Sequence, residues 1–203
     1  MVGKQYDHMV NDHPGYNPEN LAYVYIGAVD STGRAKLIEE TQRLPEVDAI
    51  TTCYNLPFWG ASGNNVYLPG DDRELFNIAD LYDVGNDYLN VLEIPIVEGQ
   101  YFTENTTSSQ EILVSRNFIE YMKPFADWKD GAVGKTVQIT GHDTKSESMP
   151  LFTIRGVFED FRLGSIAGKI REPRSCSIRK GRPNIWSFGT IVFLPRLYAR
   201  RRI

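Results

Sequence analysis

The chain has 203 residues, of which 41% are hydrophobic and 12% aromatic, so it has enough apolar material for a core and is not a disordered chain. Its net charge of −4 gives no reason to expect nucleic-acid binding, and its two cysteines are too few for a disulfide scaffold. No apolar stretch reaches the roughly 18 residues of a membrane span, and the N-terminus lacks the apolar core of a secretion signal. The composition therefore predicts a soluble globular chain of one large domain or two small ones.

Charge is distributed unevenly along the chain. Residues 1–170 hold 25 acidic and 13 basic residues, a balance of −12, whereas residues 171–203 hold one acid and nine bases, a balance of +8. Three interpretations of this tail stay open: a basic C-terminal arm or juxtamembrane segment, a stretch foreign to the domain such as a shifted reading frame, and a nucleic-acid-binding arm. We predict weak or irregular structure over much of residues 171–203.

The N-terminal part predicts a compact α/β unit. The first twenty residues are rich in turn formers and predict a loop. Residues 21–28 are apolar, aromatic and β-branched, which predicts a buried strand. A helix follows and ends at Pro45. Its apolar face consists of Leu37, Ile38 and Leu44. Residues 47–57 alternate in hydrophobicity and predict the second strand.

The rest of the chain is predicted to be rich in strands. Two short helices are expected, one at residues 87–92 with Asn86 as N-cap and one at residues 117–122. The polar run 141–148 predicts a hairpin loop. Strands are predicted at residues 66–68, 74–85, 111–115, 134–141 and 151–161.

Histidine and cysteine spacing predicts no metal or nucleophile site. His8 and His13 are five residues apart in a loop and His142 is in a polar turn, whereas metal-binding pairs follow other spacings. Cys53 lies in a strand pattern and is expected to be a small buried apolar residue. A disulfide between Cys53 and Cys176 stays open. We predict no metal, no cofactor and no catalytic residue.

Two further patterns are too weak to predict chemistry. The segment DGAVGKT at residues 130–136 ends like a phosphate-binding loop, but two residues separate its glycines instead of four, and a strand follows rather than a helix. ATP binding is therefore not predicted. Adjacent acids point to different sides of a strand or helix, so we expect solvated charges rather than an acid/base pair. They occur at Glu39–Glu40, Asp71–Asp72 and Glu159–Asp160. Asp160 has an alternative, which is to close a turn by capping backbone amides.

A more specific pattern consists of motifs in a fixed order: PIVEGQYF at 95–102, EILVSRNFIEYM at 111–122, VGKTVQI at 133–139 and FTIRGVFEDFRLGSI at 152–166. Together they resemble the periplasmic core domain of MacB/FtsX-like ABC transporter permeases. The N-terminal stretch NDHPGYNPENLAYVYI resembles members from the Bacteroides group. The resemblance covers about residues 10–168. It departs from the family at Phe118, where members have an acid, and after residue 168, where the family's continuation is not found.

Four residues of these motifs have an expected structural role. Gly99 suits a tight bend, and Gly156, which interrupts an apolar strand, suits a bulge or a close strand contact. Tyr101 and Phe102 suit a buried aromatic anchor. We expect all four to maintain the fold rather than to form a site.

The resemblance implies an α+β fold, with a MacB-like periplasmic core domain at residues 1–168 and a basic, atypical tail at residues 169–203. Within the domain it implies a membrane-proximal subdomain that contains a βαβ unit, formed by residues 18–57 plus 110–168. The inserted lobe, at residues 58–109, is expected to be rich in strands.

The resemblance also implies a non-catalytic, extracytoplasmic domain on the periplasmic side of a Gram-negative inner membrane. A separate ATP-binding cassette subunit would hydrolyse ATP, and the domain would convert this into movement or into engagement of a periplasmic or outer-membrane partner protein. Membrane anchoring is expected in the full-length protein, and no nucleic-acid partner is expected. Phe58 and Trp59 are the predicted partner-binding residues if they are exposed; the alternative is that they fold into the core. A secreted α+β binding or adhesion module and a hydrolase assembled from distant loops stay open as other classes.

Overall fold

The structure of the protein is a computed structural model. It describes residues 13–19, 21–54, 56–57, 63–102, 110–140, 149–164, 175–180 and 190–195. In the last two of these ranges it describes the backbone and the side chain of Ile178.

These residues form an α+β fold, as predicted. The helices are α1 (Ser31–Gln42), α2 (Tyr88–Val91) and α3 (Arg116–Met122). The strands are β1 (Ala22–Tyr25), β2 (Val47–Cys53), β3 (Asn64–Tyr67), β4 (Phe76–Val84), β5 (Ile96–Gly99), β6 (Glu111–Ser115), β7 (Thr136–Ile139), β8 (Leu151–Phe158), β9 (Ser175–Lys180) and β10 (Thr190–Pro195). Among the helices of the described ranges, none is long and apolar enough to cross a membrane.

The predicted elements are found with small shifts in their bounds. The strand at 111–115 has the predicted bounds, and the helix at 117–122 starts one residue earlier. The N-cap of α2 is Asp87 rather than Asn86. Asp87 has a φ of 62°, a left-handed conformation, so the helix starts at the residue after it. The hairpin loop predicted at 141–148 lies outside the described residues.

Six strands are hydrogen-bonded into a closed ring. Their order is β4-β3-β7-β8-β6-β9, and β9 pairs in turn with β4. Strand β9 runs parallel to β4, with Ala79 opposite Ser175 and Val84 opposite Lys180, and antiparallel to β6. Because closure removes sheet edges, no strand of this ring presents a full unpaired row of amides and carbonyls.

The pairings of β10 with β1 and with β2 build a split βαβ unit. Strand β10 lies between β1 and β2 and is antiparallel to both, so β1 and β2 run parallel to each other with α1 as their crossover. Cys53 at the end of β2 pairs with Val84 at the end of β4, which joins this unit to the ring.

The tail contributes β9 and β10, of six residues each, so the prediction of irregular structure is wrong for these residues. The rest of residues 171–203 lies outside the described ranges. Ile178 of β9 is fully buried, because β9 fills the position between β4 and β6 that completes the ring. The division into residues 18–57 plus 110–168 and a lobe at 58–109 stays a prediction, and the ring contains strands from both parts.

Two clusters of buried residues form the core. Strands of the ring separate them, so successive side chains of one strand enter different clusters. On β6, Leu113 lies in the first cluster, while Ile112 and Val114 lie in the second. Phe118 and Met122 of α3 also pack into the second cluster. Burial on both faces explains why the three central residues of β6, 112–114, are all apolar.

The split βαβ unit buries much less. The prediction of a buried strand at residues 21–28 is wrong for β1, in which Tyr23, Val24 and Tyr25 are 51%, 46% and 68% exposed. Helix α1 has no buried residue, and Leu37 of its predicted apolar face is exposed. Leu44, from the same predicted face, lies beyond the helix end and is also exposed. The exposed side chains of β1 and α1 therefore form surface rather than core.

Candidate functional site

The two predicted partner-binding residues, Phe58 and Trp59, lie outside the described residues. The structure does show where their loop rejoins the body. The Gly63 N–H donates a 2.7 Å hydrogen bond to Oδ1 of Asp80 in β4, and Asp80 is 1% exposed. Gly63 has a φ of 68°, a left-handed conformation that glycine adopts without strain. A buried carboxylate thus fixes the C-terminal end of this loop.

The loop that resembled part of a phosphate-binding motif is engaged within the protein. The N–H groups of Ala132 and Val133 donate to Oε1 of Glu98 at 3.0 and 3.2 Å. The next amide, at Gly134, donates to the carbonyl of Ile154 at 2.7 Å. Consecutive amides of this kind bind anions in other proteins, and here the anion they bind is the Glu98 carboxylate.

The most elaborate polar arrangement lies where β6 and β8 end. These strands are parallel, with Ser115 opposite Phe158, so the segments that follow them start side by side. The Ser115 hydroxyl accepts from the Phe118 N–H at 3.3 Å as the N-cap of α3. Oδ1 of Asp160 accepts from the Asn117 N–H at 2.8 Å. The alternative prediction that Asp160 caps backbone amides is confirmed.

Burial controls the ionisation of this cap. It raises the pKa of Asp160 above its ordinary value, and the hydrogen bonds from the Asn117 amide and the Ser115 side chain lower it in part. The neighbouring acid, Glu159, forms an ion pair with Arg116 at 2.9 Å. The two adjacent acids therefore both hold the start of α3, and they do so from different directions.

The other carboxylate pairs lie on the surface. Glu39 and Glu40 both form ion pairs with Arg43, and Asp71 forms one with Arg73 at 3.5 Å. These contacts join exposed side chains, for which an ion pair contributes about 0–1 kcal/mol. In the described part of the chain, no group of three or more histidines, cysteines or acids is placed to hold a metal.

His13 is exposed, as expected for a loop histidine, and His8 and His142 lie outside the described residues. Cys53 is a free thiol that is 0% exposed, which confirms that it is a small buried apolar residue. Burial raises the pKa of this thiol to about 12. The thiolate that nucleophilic chemistry requires is therefore scarce at neutral pH.

The close strand contact predicted at Gly156 is confirmed, and Gly99 is part of the same contact. Gly99 and Gly156 lie opposite each other where β5 pairs with β8. A Cβ on Gly99 would clash with the carbonyl oxygen of Arg155, and Gly99 also has a φ of 74°. A Cβ on Gly156 would lie 2.9 Å from the carbonyl oxygen of Glu98. The two strands approach this closely because neither residue has a side chain.

The aromatic anchor is also confirmed. The rings of Tyr101 and Phe102 are 5.1 Å apart, and Phe102 is buried in the first cluster. The Tyr101 hydroxyl accepts from the Tyr88 N–H at 3.1 Å and donates to the Gly85 carbonyl at 3.3 Å. Burial raises the pKa of Tyr101, so this hydroxyl stays protonated and able to donate.

A shallow cavity of 330 Å³ lies between the end of α1, the start of β2 and α2. Its lining includes two carboxylates, Asp48 and Asp87, together with the amide side chains of Gln42 and Asn90. No set of three converging acids is among these lining residues, so the cavity has no metal-binding geometry.

The geometry defines an α+β domain in which the described buried polar groups cap helix ends, fix loops and join strands. The family model of the MacB-like periplasmic core domain matches residues 3–175. The chain belongs to this family, and the resemblance seen in its motifs is confirmed. It is therefore an extracytoplasmic domain of the MacB/FtsX-like ABC transporter permease type.

Solved structures support the same fold. The periplasmic region of MacB from Actinobacillus actinomycetemcomitans matches with a TM-score of 0.57 and 16% identity, over 95% of this chain and 82% of that one. The extracellular domain of the noncanonic ABC-type transporter YknZ from Gram-positive bacteria matches with a TM-score of 0.53 and 13% identity, over 88% of this chain and 83% of that one. No curated protein matches the chain.

Proposed function

We propose that this domain is a non-catalytic mechanical part of an ABC transporter. A separate ATP-binding cassette subunit hydrolyses ATP, and the domain converts the cycle into movement or partner engagement outside the membrane. The observation that carries this function is the family match over residues 3–175. Two internal hydrogen bonds support it, since the carboxylates of Glu98 and Asp160 accept from backbone amides of the domain itself. A body tied together in this way moves as a unit.

The domain faces the periplasm of a Gram-negative bacterium and is anchored in the inner membrane by segments of the full-length protein. Its membrane-proximal part is the subdomain of residues 18–57 plus 110–168, which contains β1, α1 and β2 of the split βαβ unit. The strand register supports this orientation, because Ala22 at the start of β1 pairs with Phe193, and Pro195 at the end of β10 pairs with Val47. The chain therefore enters β1 and leaves β10 at the same end of the unit.

Orientation is tested in cells that express the full-length permease with Cys176→Ser and Lys129→Cys. The Lys129 side chain is 82% exposed, so a cysteine there is open to reagents, whereas Cys53 is buried. We expect a membrane-impermeant maleimide to label position 129 once the outer membrane is permeabilised. Labelling that requires lysis of the inner membrane contradicts the periplasmic placement. The matched control is the Cys176→Ser protein with Lys129 retained.

Coupling is tested in proteoliposomes that contain the permease and its ATP-binding subunit. A donor dye on Lys129→Cys and acceptor-labelled lipids report the height of the domain above the membrane by energy transfer. We expect the transfer efficiency to differ between ATP and ADP, and not to differ when the ATP-binding subunit is inactive. An unchanged efficiency during active ATP hydrolysis contradicts the proposed function.

We also propose that Phe58 and Trp59 contact a periplasmic or outer-membrane partner protein. The hydrogen bond from Gly63 to Asp80 supports this, because it fixes the point where the chain after these two residues rejoins the body. Alanine at an exposed position changes the free energy of unfolding by less than about 0.5 kcal/mol. Alanine in place of a buried aromatic costs about 3–5 kcal/mol. Denaturant unfolding of Phe58→Ala and Trp59→Ala therefore separates a surface pair from a core pair.

A further inference from the structure

We infer that residues 13–19, here called the strap, form a force-transmitting attachment that carries tension from the N-terminal chain directly into the buried core and bypasses strand β1. This inference rests on the proposed mechanical function, since force reaches the domain through the chain that connects it to the membrane. It assigns a role to a segment that the sequence analysis described only as a loop.

Two backbone hydrogen bonds attach the strap to different parts of the body. The Arg162 N–H donates to the carbonyl of Pro14 at 2.7 Å, and the Asn17 N–H donates to the carbonyl of Leu92 at 3.0 Å. Pro14 itself is buried. The strap is thus held at one point by the segment after β8 and at another by the segment after α2, and these segments are far apart in sequence.

Side-chain packing lies between these two hydrogen bonds. The rings of Tyr16 and Phe161 meet edge to face at 6.4 Å and 89°, and Tyr16 packs against the first core cluster. Gly15 has a φ of 80°, and a Cβ there would lie 2.5 Å from the carbonyl oxygen of Asp160 and 2.7 Å from Cα of Phe161. The strap therefore lies directly on the backbone of the segment that follows β8, at a distance that only glycine allows.

That segment is itself joined to the second core cluster. Asp160 caps α3 through the Asn117 N–H. Phe118 and Met122 of the same helix are buried in the second cluster. Force that enters at the strap is thus passed through Asp160 and Phe161 to both clusters within a few contacts.

Strand β1, which follows the strap, is poorly suited to bear force. It pairs with β10 over four residues and has no other strand neighbour in the described part of the sheet. Tyr23 and Tyr25 are largely exposed, so these side chains of β1 bury little apolar surface. A pull applied at its first residue would break those bonds one after another. Because the strap precedes β1 in the chain, tension from the N-terminal chain acts on the strap first.

The strap is tested first on the 203-residue chain by hydrogen exchange and single-molecule pulling. The handles are placed at the N-terminus and at Lys129→Cys, and Tyr16→Ala is compared with Tyr25→Ala as a matched control in β1. In the wild type we expect the Asn17 amide to exchange more slowly than the β1 amides. We expect Tyr16→Ala to make it exchange roughly tenfold faster, by loss of an aromatic contact, and to lower the force of the first rupture, which Tyr25→Ala leaves unchanged. Asn17→Pro removes the hydrogen bond from the strap to the Leu92 carbonyl, together with the side-chain acceptor of the Glu19 N–H, and should also lower the force of the first rupture.

The inference is overturned if Asn17 exchanges as fast as β1 in the wild type, or if Tyr25→Ala weakens the first rupture as much as Tyr16→Ala does. The last comparison is made in the full-length permease by energy transfer to labelled lipids. If the wild type responds to ATP and the strap variant responds equally, the force-transmitting role fails while the proposed function stands. If the wild type does not respond, the proposed function fails, and the mechanical results on the chain decide the strap separately.

Discussion

Apolar residues of the six-stranded ring are largely buried, whereas those of β1 and α1 in the split βαβ unit are largely exposed. In the ring, β6 is buried on both faces, and Leu113 is 0% exposed. In the split unit, α1 has no buried residue, and Leu37 is 38% exposed. Because hydrophobic stabilisation scales with the apolar area removed from water, the ring holds most of the folding free energy. In the split unit, β10 pairs with both β1 and β2 and so joins its two parallel strands.

This difference fits a division of mechanical roles. A ring with two clusters of core residues resists deformation, because packed interiors have low compressibility. A unit with little burial opens at a lower free energy than the global unfolding of the protein. The split unit is thus the more easily deformed of the two regions, and the ring is the rigid one.

The largest expected effect compares one leucine from each region. Leu113→Ala leaves a cavity in the first cluster and is expected to cost about 2–5 kcal/mol of unfolding free energy. Leu37→Ala removes a surface side chain and is expected to change stability by less than about 0.5 kcal/mol. Urea unfolding monitored by circular dichroism measures both. Equal losses would show that the two regions do not differ as described.

The next effect concerns the contact of β5 with the ring. Gly99→Ala meets both a left-handed backbone and a clash with the Arg155 carbonyl, whereas Gly70 has a φ of 80° and open space where a methyl group would lie. Gly70→Ala is expected to cost about 1–2 kcal/mol for the backbone conformation alone. Gly99→Ala should lower the free energy of unfolding by clearly more than Gly70→Ala does. If the two variants unfold at the same denaturant concentration, the close approach of the strands is not a constraint.

A smaller effect concerns the cap of α3. Asp160→Ala removes the acceptor of the Asn117 N–H and should cost about 0.5–2 kcal/mol, whereas Asp160→Asn keeps an acceptor oxygen and should cost less. Since burial raises the folded-state pKa of Asp160, the folded protein binds its proton more tightly than the unfolded chain. This contribution to stability is present below the ordinary pKa and is lost as the pH rises through the raised pKa. Comparing unfolding free energies of the wild type and Asp160→Asn across acidic pH isolates this contribution, and parallel curves would refute it.

The smallest effect is a rate of thiol labelling at the junction of the two regions. The Cys53 thiol is buried and has a pKa of about 12, so iodoacetamide should label it very slowly in the native state. Cys53 pairs with Val84 where the split unit meets the ring. If the split unit opens first, Cys53 becomes labelled at a denaturant concentration below the one that unfolds the ring. Peptide mass spectrometry measures the labelling, and coincident transitions would show one cooperative unit instead.

The sequence predicts best the elements that are determined locally. The apolar run 112–114 is bounded by Glu111 and Ser115, and the structure has a strand over these five residues. Asp160 follows a strong strand, and its position alone indicates a cap as one alternative. The partner amide is not predictable, because it requires the knowledge that β6 and β8 are parallel neighbours.

The elements that depend on distant partners are predicted less well. Strands β9 and β10 lie in a segment whose basic charge indicates an arm, and pairing with β4 and β2 gives them structure. Strand β1 has the composition of a buried strand, but its position beside β10 leaves Tyr23 and Tyr25 exposed. The role of Glu98 has no local signal, because its amide partners lie more than thirty residues away.

The pairing of β4 with β9 has a consequence for the order in which the chain acquires its structure. Ala79 pairs with Ser175, so the ring cannot close until β9 has been synthesised. Contacts of such long sequence separation form slowly, because the entropy of closing a long loop is lost before they are made. During synthesis the edges of β4 and β6 therefore stay unpaired until β9 is made, and a chaperone that covers strand edges should raise the yield of folded protein.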